Sequence, residues 1–163
     1  MAEETSPQDA RAKVWELIEQ FRAAMLVTRS QAGQLSARPM AHMARPDANV
    51  VYILTERQTE AARDIEHDPD VLLTFSDGKR YLSLAAHGML STDRSLIEQL
   101  WNSGAQAFWP KGPSDPAVCA VILRPRSAEY WDGDNALSAG VQMLFANVTG
   151  KRPDLGDHGG VGL

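Results

Sequence analysis

The chain has 163 residues, 44% of them hydrophobic and 23% charged, with a formal net charge of −5 at pH 7. This length predicts one domain with one core, and the acidic balance argues against nucleic acids and anionic membrane surfaces as general partners. No apolar run of about 18 residues is present, and the single cysteine, Cys119, cannot form an internal disulfide. We therefore expect a cytoplasmic protein with neither a membrane span nor a secretion signal.

The first part of the chain predicts a helix followed by a hairpin. Ser6 and Pro7 have the pattern of a capping hydroxyl before a first-turn proline, and apolar residues then recur at helical spacing as far as Phe21. Residues 24–30 and 35–43 predict two strands that are joined by a short turn.

The strand predicted over residues 35–43 is the most informative stretch. Alternation along a strand places its polar and sulfur-containing side chains on one face: Ser36, Arg38, Met40 and His42. A guanidinium in such company suits an anionic, partly aromatic ligand such as a phosphorylated cofactor. An ordinary half-buried strand with a solvated arginine explains this stretch equally well. Because Pro39 cannot donate a ladder hydrogen bond, the strand is expected at an edge or at a bulge.

The next residues predict a buried strand and a short helix. Residues 49–56 are rich in β-branched and aromatic side chains and are apolar on both faces, as expected inside the structure. Thr59 can cap a helix that ends before Asp68 and Pro69. The other predicted strands are short and are joined mostly by tight turns: residues 71–75, 81–90, 118–123 and 129–131.

The second half of the chain contains less regular segments. A capped helix is predicted to run to about Asn102, and residues 104–117 show no periodicity but contain Phe108 and Trp109. A loop of that length with two aromatic residues is usually functional or packs across another segment. Residues 136–148 have helical spacing, and the glycine- and charge-rich residues 151–163 predict a mobile tail. The single domain is therefore placed at residues 1–150.

Many short strands, few helices and no regular βαβ alternation predict an antiparallel barrel or sandwich. The sequence lacks the patterns that are typical of several kinds of site. The four histidines form no HExxH pair and have no cysteine partner, which argues against a zinc site. No GxSxG elbow or glycine-rich nucleotide motif is present either, so we predict no metal and identify no catalytic residue.

Two groups of motifs, which together cover about residues 14–132, carry a family resemblance. The first consists of Arg38-Pro39-Met40, the strand that ends in Leu54-Thr55, and the helix that begins at Thr59. The second follows in order along the chain: Leu100-Trp101, Phe108-Trp109-Pro110-Lys111-Gly112, Asp115-Pro116 and Glu129-Tyr130-Trp131-Asp132. In this combination the sequence resembles the general stress protein branch of the pyridoxamine 5′-phosphate oxidase-like FMN-binding split-barrel family.

The resemblance implies a fold, a cofactor and an assembly. The fold is a mainly β protein, a six-stranded antiparallel split β-barrel with a few short helices. The assembly is a homodimer that holds FMN at the interface between its subunits. The implied activity is that of an FMN-dependent oxidoreductase. A non-catalytic protein that binds flavin or another ligand, and a cofactor-free dimeric split barrel, are the alternative interpretations.

The resemblance also implies which residues bind the cofactor. Arg38 would contact the flavin phosphate or ribityl chain, and Pro39 and Met40 would line the same wall. Leu54 and Thr55 would meet the edge of the isoalloxazine ring. Thr59 matches the Ser/Thr at the start of the phosphate-binding helix, where backbone N–H groups and the helix dipole favour an anion. Trp109 would pack near the ring.

The match has one departure, at the helix that follows Thr59. The family usually places a lysine two residues after this Ser/Thr, and here that residue is Ala61. The intervening residue, an arginine in some members, is Glu60. Losing a cation and gaining an anion beside a phosphate should weaken its binding. Arg57 or Arg63 could compensate from the same turn or helix.

Overall fold

The computed structural model describes residues 6–133 and 157–163, and within them an antiparallel sheet of eight strands forms the fold. The strands are β1 (Ala24–Arg29), β2 (Leu35–Met40), β3 (Met43–Arg45), β4 (Val50–Glu56), β5 (Asp70–Ser76), β6 (Arg80–Ser91), β7 (Val118–Asp132) and β8 (Asp157–Gly162). The helices are α1 (Pro7–Gln20), α2 (Glu60–His67), α3 (Arg94–Leu100) and α4 (Ser103–Phe108), with a 3₁₀ turn at Pro46–Ala48. The helix predicted over residues 136–148 lies outside the described residues.

The order of the strands closes the sheet into a barrel. Along the sheet the order is β2-β1-β5-β6-β7-β4-β3, so β2 and β3 lie at its two opposite ends. Only Ala41 and His42 separate these two strands in the chain, and the ends of the sheet must therefore meet. The predicted antiparallel, mainly β architecture is confirmed. The sheet has eight strands rather than six. One reason is that the strand ends at Met40 and resumes as β3 at Met43, and the other is that β8 joins the sheet.

The two long strands β6 and β7 join the parts of the barrel. They pair with each other over almost their whole length, with a register shift at Ala85 and Ala86 that leaves Arg126 as an extra residue of β7. On its other edge β7 pairs first with β4 and then with β8. A bulge bends a strand and increases its twist. β7 can therefore pair with two different strands along the same edge.

Capping residues begin the helices α1 and α2. The hydroxyl of Ser6 accepts a hydrogen bond from the N–H of Asp9 at 3.2 Å, as its place before Pro7 predicts. The buried face of α1 then packs against the core residues of the barrel, among them Leu26, Val51 and Leu73. Thr59 caps α2 in the same way, and its hydroxyl accepts from the N–H of Ala62 at 3.2 Å.

The end of the chain differs from the mobile tail that its composition predicts. Residues 157–162 form β8, which pairs with β7 from Ser127 to Asp132. The small size of Gly159 allows the strand to lie against the ring of Tyr130, and Val161 and Leu163 pack against the main core. A glycine-rich segment can thus be ordered by the strand beside it. Residues 151–156 lie outside the described residues.

Candidate functional site

A pocket of about 280 Å³ opens where the break between β2 and β3 meets the end of β4 and helix α4. This volume is at the lower end of the range of small-molecule sites, which is roughly 300–1,000 Å³. The pocket brings together most of the residues predicted to bind a cofactor: Pro39, Met40, Leu54, Thr55 and Trp109. The other lining residues are Ala41, His42, Met43, Asn102, Gly104, Ala105 and Phe108.

The walls of the pocket are mainly apolar. Two thioethers, from Met40 and Met43, and two aromatic rings, from Phe108 and Trp109, supply large and polarisable surfaces. Such groups pack well against a flat aromatic ligand. The hydroxyl of Thr55 adds a polar group, and its residue is 6% exposed. The chemistry of this pocket fits the ring system of a flavin.

Helix α4 is a part of the site that the sequence did not predict. It replaces the first residues of the predicted loop over residues 104–117 and carries four of the lining residues, counting its capping residue Asn102. The side-chain carbonyl of Asn102 accepts a hydrogen bond from the N–H of Ala105 at 2.9 Å. This capping asparagine is the sequence feature from which the start of α4 could have been predicted. The helix is too short to show a hydrophobic period.

Trp109 is fixed at the wall of the pocket by one polar and two aromatic contacts. Its indole N–H donates to Oε1 of Glu56, the last residue of β4, at 3.1 Å. The ring centroids of Phe108 and Trp101 lie 5.9 and 6.1 Å from that of Trp109. Because the polar and the apolar parts of the indole both have partners, its orientation is set before any ligand arrives.

Thr59 lies beside the pocket but does not line it. Its hydroxyl oxygen is 3.5 Å from that of the lining residue Thr55, so the start of α2 adjoins the polar end of the pocket. The capping bond occupies the N–H of Ala62, whereas the N–H groups of Glu60 and Ala61 have no intrahelical acceptor. These two groups favour an anion near this end of the site.

Arg38 also lies outside the pocket lining. Its side chain turns towards the inside of the barrel and donates to the hydroxyls of Thr28 and Ser36, each at 2.6 Å, and to the carbonyl of Leu26 at 3.4 Å. A carboxylate oxygen of Asp64, a buried residue of α2, is 3.9 Å away. The side chain of Arg38 is 22% exposed, so part of it remains accessible to a ligand.

Ala61, at the position where the family usually has a lysine, is buried. Ala61 is 4% exposed and belongs to the main core, where a charged side chain would lose its hydration. Neither of the two proposed compensating cations lines the pocket. Arg63 donates to the carbonyl of Gln58 at 2.9 Å, and Arg57 lines a different pocket, which also contains Glu56 and Glu66.

His42 connects the pocket to helix α1. Its Nε2–H donates to the carbonyl of Ile18 at 2.8 Å, and its ring meets that of Phe75 edge-on with the centroids 5.0 Å apart. Burial lowers the pKa of this imidazole from its ordinary 6.5, although the Ile18 carbonyl acts in the opposite direction. The ring is therefore neutral at neutral pH, and it holds the break between β2 and β3 against the helix.

We expect the free energy of unfolding to decrease as the pH falls below 6.5, because of His42. The unfolded chain then binds a proton at this ring while the native protein does not, so protonation favours unfolding until the lowered native pKa is reached. Urea unfolding at pH 7.5 and 5.5 measures the change. His42→Gln keeps an N–H donor but cannot titrate, so it should show a smaller difference. Equal differences in both proteins would contradict this assignment.

The described residues, 6–133 and 157–163, contain neither a metal-binding cluster nor a membrane-crossing helix. No group of three or more His, Cys, Asp or Glu side chains in them could hold a metal ion. No helix in that part of the chain is long and apolar enough to cross a membrane. Cys119 is buried in β7, and burial raises the pKa of its thiol.

Comparison with known proteins gives consistent matches. Residues 9–154 match the family described as pyridoxamine 5′-phosphate oxidase like. The chain is 26% identical over 123 residues to general stress protein 26 of Bacillus subtilis (strain 168), covering 72% of this chain and 85% of the relative. A crystal structure from Jannaschia sp. CCS1 that carries the name general stress protein 26 superposes with a TM-score of 0.75 at 25% identity, over 96% of this chain and 99% of the other.

A further solved structure shows the same fold. It is described as the general stress FMN/FAD binding protein of Xanthomonas citri, and it superposes with a TM-score of 0.68 at 21% identity. The match covers 80% of this chain and 93% of the other. The split-barrel fold expected from the sequence is therefore confirmed by the observed topology and by these neighbours.

Proposed function

The chain belongs to the pyridoxamine 5′-phosphate oxidase-like family, and we propose that it is a flavin-binding protein of the general stress type, with FMN as its flavin and an oxidoreductase activity. The observation that carries this proposal is the pocket between the β2–β3 break, β4 and α4, whose thioether and aromatic walls fit a flat ring. The Xanthomonas citri protein of the same fold, which is described as binding FMN or FAD, supports the choice of ligand.

Each predicted site residue has a proposed role in holding the flavin. Met40, Leu54 and Trp109 would contact the ring system, together with Pro39 and the hydroxyl of Thr55, and all five line the pocket. The guanidinium of Arg38 and the first turn of α2 after Thr59 would face the phosphate. A bound flavin supplies the electron transfer, and the protein supplies binding, orientation and local charge.

A binding function without turnover is the second candidate, and one observation favours it. Among the residues that line the pocket, the only titratable side chain is that of His42, and its Nε2 is already bonded to Ile18. Its other ring nitrogen, Nδ1, is buried without a hydrogen-bond partner, so the pocket lining offers no solvent-exposed general acid or base. Consumption of a reduced nicotinamide by the FMN-loaded protein would identify an oxidoreductase. Flavin binding without consumption would identify a binding protein.

The proposal is tested by titrating the purified protein with FMN and following the quenching of flavin fluorescence. We expect saturable binding and a yellow protein. Trp109→Ala should raise the dissociation constant about threefold to tenfold, because it removes one aromatic contact of about 0.5–1.5 kcal/mol. Trp131→Ala is the matched control, since Trp131 stacks on His158 at β8 and does not line the pocket. Equal effects of both substitutions, or no binding by the parent protein, would contradict the proposal.

The same proposal includes a homodimer with the flavin at its interface. Leu35 is 65% exposed and lies on the outward face of β2 with Pro39, and Met25 of β1 pairs opposite Pro39. Because Pro39 also lines the pocket, this apolar surface continues into the site, and a second copy could cover both. Sedimentation at micromolar concentration should give about twice the 17.8 kDa mass of one chain, and Leu35→Glu should shift it towards the monomer. A parent protein that sediments as a monomer would contradict this arrangement.

The proposal includes a cytoplasmic location, because the single cysteine, Cys119, is buried and the fold uses no disulfide.

A further inference from the structure

Two chains of hydrogen bonds begin at Arg38, and each of them ends at a carboxylate of helix α2. In the first, Arg38 donates to the hydroxyl of Thr28, which donates to Oδ2 of Asp64 at 2.6 Å. In the second, Arg38 donates to the hydroxyl of Ser36, which donates to Oε1 of Glu60 at 3.3 Å. Arg38 is therefore linked to two carboxylates at the phosphate end of the proposed site.

The two carboxylates differ in how firmly they are held. Asp64 and Thr28 are buried, at 5% and 1% exposed, and their hydrogen bond is short, so this carboxylate belongs to the folded core. Glu60 is exposed, and the bond it accepts from Ser36 is longer. A ligand could displace Glu60, but it could not displace Asp64 without disrupting the packing of α2 against the barrel.

Glu60 also lies where an incoming anion would bind. It is the first residue of α2, and its own N–H and that of Ala61 have no intrahelical acceptor. Through Ser36 its carboxylate interacts with Arg38, the cation that would otherwise face the ligand. The arrangement resembles a bound anion that the protein itself provides. A dianionic phosphate that enters this position meets a like charge.

We propose that Glu60 is a specificity-determining residue that competes with the ligand's phosphate for Arg38 and for the first turn of α2. The inference rests on the proposed flavin-binding function. The phosphate then adds little to the affinity of the site, and the contacts with the ring system supply most of it. Its affinities for FMN and for riboflavin, which lacks the phosphate, are therefore close, within about tenfold of each other.

The test measures the dissociation constants of FMN and riboflavin for the parent protein, for Glu60→Gln and for Glu66→Gln, by quenching of flavin fluorescence. Glu60→Gln keeps the size of the side chain and removes its charge. It should tighten FMN binding about fivefold to tenfold, the size expected for one charge removed near a partly screened dianion, and change riboflavin binding less than about twofold. Glu66→Gln is the matched control, because Glu66 is in the last turn of α2 and lines a different pocket. It should leave both constants unchanged.

The ratio of the two affinities decides the outcome. If FMN binds more than about a hundredfold tighter than riboflavin to the parent protein, or if Glu60→Gln leaves the ratio unchanged, the inference is wrong while the flavin-binding function stands. If the parent protein binds neither flavin, the proposed function itself is wrong, and the inference fails with it. Thermal unfolding of each variant, followed by circular dichroism, confirms that the folded protein was titrated.

Discussion

Arg38→Ala should raise the dissociation constant for FMN by about tenfold, the lower end of the range for a charge-assisted contact of about 1.5–3 kcal/mol, because Glu60 already offsets part of the attraction between Arg38 and the phosphate. Arg38 is linked through Ser36 to Glu60 at the start of α2, whereas the guanidinium of Arg63 is bonded to the carbonyl of Gln58 and Arg57 lines a different pocket. Affinity for riboflavin should change much less, since riboflavin has no phosphate. Flavin fluorescence quenching at moderate salt measures both constants.

The stability of the fold must be measured with the same variant. Arg38→Ala leaves the buried carboxylate of Asp64 without its nearby cation, and removing one partner of a buried pair destabilises proteins by about 3–5 kcal/mol. Because the Arg38 side chain is partly exposed, the loss of folding stability should be smaller than this. The double variant Arg38→Ala/Asp64→Asn removes both charges and should recover most of the stability without recovering FMN affinity. Wild-type affinity in the double variant would exclude Arg38 from the phosphate site.

Deletion of residues 157–163 should lower the free energy of unfolding by about 2–5 kcal/mol, the combined size of lost apolar burial and lost strand hydrogen bonds. The deletion removes β8 from the edge of β7 and exposes Tyr130, which is 4% exposed in the intact protein. It also removes the hydrogen bond from the N–H of Leu163 to the carbonyl of Arg126, at 2.7 Å. Urea unfolding of the shortened chain measures the loss. A change of less than about 0.5 kcal/mol, the size of an ordinary surface substitution, would mean that β8 contributes little.

A pair of neighbouring glycines gives a finer version of the same test. A Cβ at position 159 would come within 2.6 Å of the Tyr130 ring, whereas a Cβ at position 160 would be 3.6 Å from its nearest neighbour. Gly159→Ala should therefore cost about 1–3 kcal/mol as an overpacked contact, and Gly160→Ala should change stability by less than about 0.5 kcal/mol. Equal effects would show that β8 is not docked closely against Tyr130.

Much of the fold was predictable because its signals are local. The cap at Ser6 with Pro7, the cap at Thr59, and the apolar run of residues 50–56 act over a few residues, and each led to the correct element. Local patterns also indicated the barrel, since short strands with tight turns and little helix leave few other arrangements. The resemblance then indicated which residues to examine for a cofactor. Five of those residues line one pocket: Pro39, Met40, Leu54, Thr55 and Trp109.

The tertiary structure decided what depends on partners far apart in the chain. Arg38 is paired with Thr28 and Asp64, and Trp109 with Glu56, and no local pattern reports such contacts. The charge balance at α2, with two carboxylates on one guanidinium, follows only from how β2 and the helix pack. The end of the chain is a similar case. Its composition predicts mobility, because a glycine-rich chain loses much conformational entropy when it is ordered. The hydrogen bonds of the neighbouring β7 and the apolar contact with Tyr130 offset this loss.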